Sequence, residues 1–259
     1  MGLPKPYYKD EQSDIVLYHA DCREILPLLE DKSIDFVFTD PPYGHDNNHN
    51  DLKSQLVKIL GYDKGKVTCE PIKIQNDGPE ANDLVRFCFA EFSRLLVPGA
   101  CCCVCCGGGG SNKSLSFADW SQWMREAIGF KQAVVWDKGS LGMGWHYRRS
   151  YEFVLVGEKP GAKCKWYDET NAVSNLVKIN KIIPQATDHP TPKPEGLVSH
   201  FLALHTLAGD LVLEPFAGGG TTLRACKDMG RRAIGIELDE RWCEMTAKRL
   251  QQGALDIYE

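Results

Sequence analysis

Short apolar runs alternate with helical patterns along most of this chain, and that alternation restricts the fold more than any other feature. Runs of strand type occur at Ile15–His19, Ile34–Phe38, Ala100–Cys105, Ala133–Trp136, Tyr151–Val156, Leu211–Glu214 and Ala233–Glu237. Helical patterns fall between most of them, at Asp83–Leu96 before Val97-Pro98-Gly99, Phe117–Ile128 before Gly129, Glu195–Leu207, Thr221–Met229 before Gly230, and Glu240–Gln251 before Gly253. Strands separated by helices join a mainly parallel sheet covered on both faces. The exception is the pair within residues 131 to 157, where a short link predicts a hairpin at one edge. At 259 residues the chain is expected to form a single domain over residues 1 to 259. Two stretches fit no core element: residues 45 to 80, expected to be a mobile loop, and residues 158 to 190.

Eleven cysteines, five of them within ACCCVCC, raise the question of metal or disulfides. Neighbouring cysteines point to opposite faces of a strand, and no second cluster with metal-ligand spacing follows, so no metal is expected. Free cysteine behaves as a small buried hydrophobe, and residues 100 to 105 read as a central strand.

The net charge of −5 excludes a generic nucleic-acid coat but not a local basic face. Between Lys138 and Lys181 eight Lys/Arg face four acids, which makes residues 138 to 185 an inserted segment of positive excess. The N-terminal MGLPKPYYKDEQSD lacks an apolar h-region and no segment approaches 18 apolar residues, so the expectation is a cytoplasmic protein with no membrane partner.

Function is concentrated in two motifs. In FTDPPYG, residues 38 to 44, two prolines end the strand at Thr39 and carry Asp40, Pro41, Pro42 and Tyr43 out of the sheet in a stiff, extended form. That presents them at the carboxyl end of a strand, where ligands bind in open α/β sheets. In LVLEPFAGGGTTLRACKDMGRRAIGIELD, residues 211 to 239, a strand, a glycine-rich turn, a helix and a strand ending in an acid form half of a nucleotide-binding fold. Gly218 and Gly220 let the backbone approach a ligand, Thr221 and Thr222 cap the helix, and Glu237 lies where an acid accepts ribose hydroxyls. The third glycine of the dinucleotide pattern is replaced by Leu223 and no Gly-Lys-Ser/Thr follows, so the ligand is adenosine-like without a diphosphate. S-adenosyl-L-methionine fits.

With these motifs, and with YHADC (18 to 22), EFSRLLVPGACCCVCC (91 to 106), TPKP (191 to 194) and GIELD (235 to 239) in this order, the chain resembles the amino-group DNA methyltransferases of the β arrangement, whose catalytic half precedes the cofactor half. Glu214 stands where that family commonly has Asp, Gly219 where Ser is common, and Pro192 where Gln is common. The resemblance implies an α/β, Rossmann-like methyltransferase fold with a seven-stranded, mainly parallel sheet and one antiparallel edge strand. It assigns Asp21 to the cofactor adenine and Lys193 to the methionine carboxylate, and adds Cys22, Glu214 and Phe216 to the cofactor contacts.

The activity implied is methyl transfer from S-adenosyl-L-methionine to the exocyclic amine of a base flipped out of double-stranded DNA. Asp40 and the Pro41 carbonyl would each take one amine hydrogen, and Tyr43 would stack on the base. Adenine N6 is favoured over cytosine N4, because in this family an Asp at this place usually accompanies adenine. RNA or protein-amide methylation and a non-methylating nucleotide-binding module stand as alternatives. Arg148, Arg149, Lys163 and Lys165 are the candidates for DNA binding within 138 to 185, helped by the loop from His45. The resemblance leaves open a homodimer, and a cognate restriction endonuclease in a bacterial or phage-infected cell.

Overall fold

The structure, a computed structural model, describes residues 2–44, 75–78, 80–107, 116–142, 147–182 and 192–252. Most of the loop expected at 45 to 80, the end of the 138 to 185 segment, Thr191 of TPKP and Gly253 lie outside the described residues.

In chain order the elements are β1 (Tyr8–Asp10), β2 (Ile15–His19), α1 (Cys22–Ile25), β3 (Ile34–Thr39), α2 (Ala81–Leu95), β4 (Leu96–Cys106), α3 (Ser116–Ala127), β5 (Phe130–Asp137), β6 (Tyr151–Glu158), β7 (Leu176–Lys178), α4 (Glu195–His205), β8 (Leu211–Glu214), α5 (Thr221–Asp228), β9 (Arg232–Glu237) and α6 (Glu240–Gln251). The nine strands form one sheet in the order β1-β2-β9-β8-β3-β4-β6-β5-β7. β2, β9, β8, β3 and β4 run parallel, as the alternation of elements predicts.

Two details differ from the expected sheet of seven. The short strands β1 and β7 extend it to nine, β1 being an antiparallel edge strand. The hairpin strand β6 is reversed but internal, with β4 on one side and β5 on the other. β5 therefore keeps the direction of the parallel set, and β6 begins at the edge where the parallel strands end.

Helices cover both faces. Phe36, Phe38, Cys101, Cys103 and Cys105 join Leu197, Phe201 and Leu202 of α4, Leu223 of α5 and Leu250 of α6 in one layer. Val37, Cys102, Val104 and Cys106 join Leu84, Phe89 and Phe92 of α2 and Trp120 of α3 in the other. The cysteine strand thus serves both cores by alternation, and the ten cysteines among the described residues are all free thiols. Pro98 and Gly99 do not separate α2 from β4: the strand begins directly at Leu96 and shifts register against β3 there. Gly99, at φ +82°, lets the Lys163 carbonyl approach where a side chain would stand.

The carboxyl ends of β3, β8 and β9 converge with the start of β6 on one edge. The opposite edge is closed by its own polar contacts, in which Lys165 Nζ lies 2.6 Å from Asp35 Oδ1 and the Lys165 amide donates to the Gly99 carbonyl. At the functional edge the backbone before α5 turns at Gly220, φ +77°, where an added Cβ would come within 2.7 Å of Thr246. Thr246 Oγ1 donates to the Gly218 carbonyl at 2.8 Å, so displacing it loosens the same turn. Gly220→Ala is therefore expected to cost about 2–4 kcal/mol, summing left-handed strain and one lost hydrogen bond. Thermal denaturation checks this: an unchanged Tm would show that the turn has room to relax.

Candidate active site

Two prolines stop β3 from continuing into the ladder, and the chain leaves the sheet at Asp40. Asp40 Oδ1 accepts the Tyr43 hydroxyl at 2.7 Å, and Oδ2 lies 2.7 Å from the Lys193 ammonium. Lys193 also reaches Glu152 Oε2 and the Tyr43 oxygen, each at 3.3 Å, so its three donors are all engaged. Glu152, at the start of β6, has its other oxygen 3.0 Å from Lys138. Burial works against charge on both sides of this cluster, but mutual attraction prevails. The two ammoniums hold the Glu152 carboxyl at about 2, and Asp40 with Glu152 raises Lys193 well above its ordinary range. Burial and the neighbouring carboxylates push the Tyr43 phenol up, so it remains a hydroxyl donor. The Tyr43 ring is held edge to face by buried Trp120, with centroids 5.9 Å apart, while Lys193 stands 5.4 Å from the ring centre.

Beside this cluster, the turn after β8 forms a cradle. Glu237, ending β9, accepts the Gly218 amide at Oε2 and the Asp239 amide at Oε1, both at 2.8 Å. A carboxylate has about four acceptor positions, so two remain for vicinal hydroxyls. Burial outweighs these two amides and raises the Glu237 pKa. Glu214 lies beneath, accepting Thr39 Oγ1 at 2.5 Å, Thr222 Oγ1 at 2.8 Å and the Phe216 amide at 3.1 Å. Asp40, Tyr43, Glu152 and Lys193 share with Asp21, Cys22, Phe216, Gly218, Thr221, Thr222 and Glu237 one cleft of about 250 Å³. An acid at a ribose-binding distance from a glycine turn, next to an acceptor that can polarise an amine, suits an adenosyl methyl donor.

All of the expected catalytic and cofactor residues line the cleft except Gly220, which shapes the turn. Three engagements differ from what was expected. Lys193 faces Asp40 and Glu152 and has no donor left over for a methionine carboxylate. Asp21 caps α1 and is bound by the Arg23 guanidinium, which holds its carboxyl below the usual range. Glu214 braces the turn from below and joins it to the end of β3. Glu152, Asp77 and Trp242 line the cleft without having been foreseen. Asp77 accepts the Gly44 amide at 2.9 Å and so closes the DPPYG turn. Only Glu152 carried a local signal, an acid at the head of an otherwise apolar strand.

The DNA-binding candidates separate. Arg148 and Arg149 precede β6 at the functional edge, where the Gly142 amide donates to the Arg149 carbonyl. Lys163 and Lys165 follow β6, which has crossed the sheet, and belong to the opposite edge beside Gly99 and Asp35. The expectation that Lys163 and Lys165 meet DNA at the flipped base is therefore corrected: eight residues of strand, at roughly 3.3 Å each, separate the two groups. Lys178 and Lys181, after β7, return to the functional edge, where the Lys181 amide donates to the Lys138 carbonyl.

Glu214 gives the site a measurable pH signature. Burial raises its carboxyl from 4.5 to about 8, against three donors that favour the ion. Its contribution to stability is complete below pH 4.5, where folded and unfolded chains both hold the proton, and falls as pH rises toward about 8. Glu214→Gln retains the shape and cannot titrate. The wild type should lose stability relative to this variant by on the order of 1 kcal/mol per pH unit in that window. Parallel curves of Tm against pH for the two proteins would contradict it.

The sequence profile of the family described as DNA methylase matches residues 34–248. The type II methyltransferase M2.LlaDCHI of Lactococcus lactis subsp. cremoris is 28% identical over 97% of this chain and 94% of its own. The DNA adenine methyltransferase YhdJ of Escherichia coli K12 is 24% identical over 96% of this chain and 86% of its own. The crystal structure of the DNA modification methylase TTHA0409 from Thermus thermophilus, complexed with S-adenosyl-L-methionine, superposes with a TM-score of 0.63, at 25% identity, over 93% of this chain and 96% of that one. With the profile spanning most of the chain and both site motifs, the protein belongs to the N6/N4 DNA methylase family, whose members methylate amino groups of DNA bases with S-adenosyl-L-methionine.

Proposed function

We propose that this chain methylates the N6 amine of adenine at a defined sequence in double-stranded DNA, in the cytoplasm of a bacterial or phage-infected cell. The observation that carries this reading is the carboxylate of Asp40, fixed at the end of β3 with its oxygens turned toward the cleft that also holds Glu237. The Asp in DPPY and the similarity to a DNA adenine methyltransferase favour adenine over cytosine.

An exocyclic amine is a weak nucleophile because its lone pair is delocalised into the ring. Asp40 accepts one amine hydrogen and the Pro41 carbonyl the other, which localises the lone pair on nitrogen and directs it out of the ring plane. Tyr43 offers a ring face braced by Trp120, and base stacking of this kind is worth about 1–3 kcal/mol. S-adenosyl-L-methionine supplies the electrophilic methyl. Glu237 holds the ribose hydroxyls, Asp21, Cys22 and Phe216 border the adenine, and the turn at Gly218 to Thr222 admits the ligand to the backbone.

Asp40→Ala should abolish transfer and leave cofactor affinity within a small factor, because the amine hydrogen bond matters chiefly in the transition state. Nucleoside mass spectrometry of DNA from cells expressing the protein should find N6-methyladenine that disappears with this variant. N4-methylcytosine instead would overturn the adenine assignment, and neither base would overturn the reading.

The duplex docks on the functional edge through Arg148, Arg149, Lys178 and Lys181. Replacing Lys178 and Lys181 with Ala should lower the salt slope of DNA binding by up to about two units, since each phosphate contact releases roughly 0.9 counterion. Lys163→Ala should leave it unchanged. Titrations of one duplex at several salt concentrations check both, and the reverse pattern would move the DNA face to the other edge.

A further inference from the structure

Glu152 has no part in the mechanism above, yet it is among the most constrained side chains of the cleft. It enters from β6, the reversed strand, and its oxygens are divided between Lys138 at 3.0 Å and Lys193 at 3.3 Å. The Tyr43 oxygen lies between the two carboxylates, 2.7 Å from Asp40 and 3.4 Å from Glu152. Lys138 is itself fixed through its backbone, donating to the Ser150 carbonyl and accepting the Lys181 amide. The cluster thus contains two ammoniums and two carboxylates, with Lys193 shared and Lys138 anchoring the Glu152 end.

This sharing bears on a difficulty in the mechanism. Asp40 must meet an amine whose nitrogen gains positive charge as it reacts, but in the structure both Asp40 oxygens already accept strong donors. An ammonium paired one-to-one with Asp40 would weaken it as an acceptor at the moment it is required. Glu152 offers that ammonium a second anion close at hand, so a shift of well under 1 Å of the flexible Lys193 terminus changes its principal partner. Lys138 keeps Glu152 in place during the exchange. The phenol of Tyr43 has an acceptor on either side and can follow.

We propose that Glu152 is a positioning residue for methyl transfer: it shares the Lys193 ammonium with Asp40 and takes it over when the target amine arrives on Asp40. The inference rests on the DNA amino-methylation described above. No covalent step is added; the ammonium changes its principal partner, and the Asp40 oxygen it leaves accepts the amine hydrogen.

The test is single-turnover transfer of tritiated methyl from S-adenosyl-L-methionine to duplex DNA, with cofactor affinity by calorimetry and Tm for each variant. Glu152→Gln preserves shape and removes the charge. Its transfer rate should fall on the order of 100-fold, the scale of a small misplacement at a reacting centre, with cofactor affinity within a small factor. Glu152→Asp should recover part of the rate, and Lys138→Met should slow transfer in the same direction by less. Combined with Lys193→Met, Glu152→Gln should add little further slowing, because both act through one ammonium. Wild-type transfer by Glu152→Gln, or multiplying effects in the double variant, would overturn the proposal. Should Glu152→Gln not fold, wild-type rates in both Glu152→Asp and Lys138→Met would overturn it. A wild-type protein that methylates no DNA would overturn the proposed function, and this inference with it; normal wild-type transfer with an unaffected Glu152→Gln removes this inference alone.

Discussion

The site depends on one buried carboxyl. Glu214, at the end of β8, accepts the hydroxyl of Thr39, the residue before Asp40, together with Phe216 and Thr222 of the cofactor turn. Thr39 and Glu214 are 175 residues apart in sequence, yet their strands are neighbours in the sheet. The contact therefore fixes where the acceptor for the amine stands relative to the cradle for the methyl donor. Hydrogen bonds buried in this way are worth more as geometry than as stability, since a misplacement of about 1 Å at a reacting centre can reduce the rate 100-fold.

Around that brace the cleft divides into two electrostatic regions. The cofactor side has Glu237 and backbone amides but no lysine within reach of the Glu237 carboxylate among its described hydrogen bonds. The base side holds the balanced group of Asp40, Glu152, Lys138 and Lys193. Burial would make any one of these charges expensive on its own; together they neutralise one another and leave the cleft able to receive a neutral base. The reversal of β6 is what brings the second carboxylate to this edge.

Much of this architecture was legible in the sequence because it is local. Periodicity marks the helices and strands to within a few residues, DPPY and the glycine turn announce their own backbone shapes, and alternation along the cysteine strand reports two covered faces. What was not legible depends on direction and distance. A count of positive charge over residues 138 to 185 adds together two groups that β6 carries to opposite edges, so Lys163 and Lys165 were joined to Arg148 and Arg149. The partner of Lys193 could not be read from TPKP, because Glu152 reaches it only through strand order. Pro98 reads as the end of a helix, but next to a register shift the strand accommodates it from Leu96 onward.

The order of the strands also bears on how the chain is made. β2 and β3 emerge early from synthesis, but in the finished sheet they are separated by β9 and β8, which emerge last. Strands β3 to β7 can assemble side by side as they appear, whereas the pair β8 and β9 must be set between two strands already present. Until then β2 and β3 each present an open parallel edge, the kind of surface on which nascent chains aggregate. The final quarter of the polypeptide therefore acts as a keystone: a truncated product would lack its cofactor turn and would also carry two unpaired strand edges into the cell.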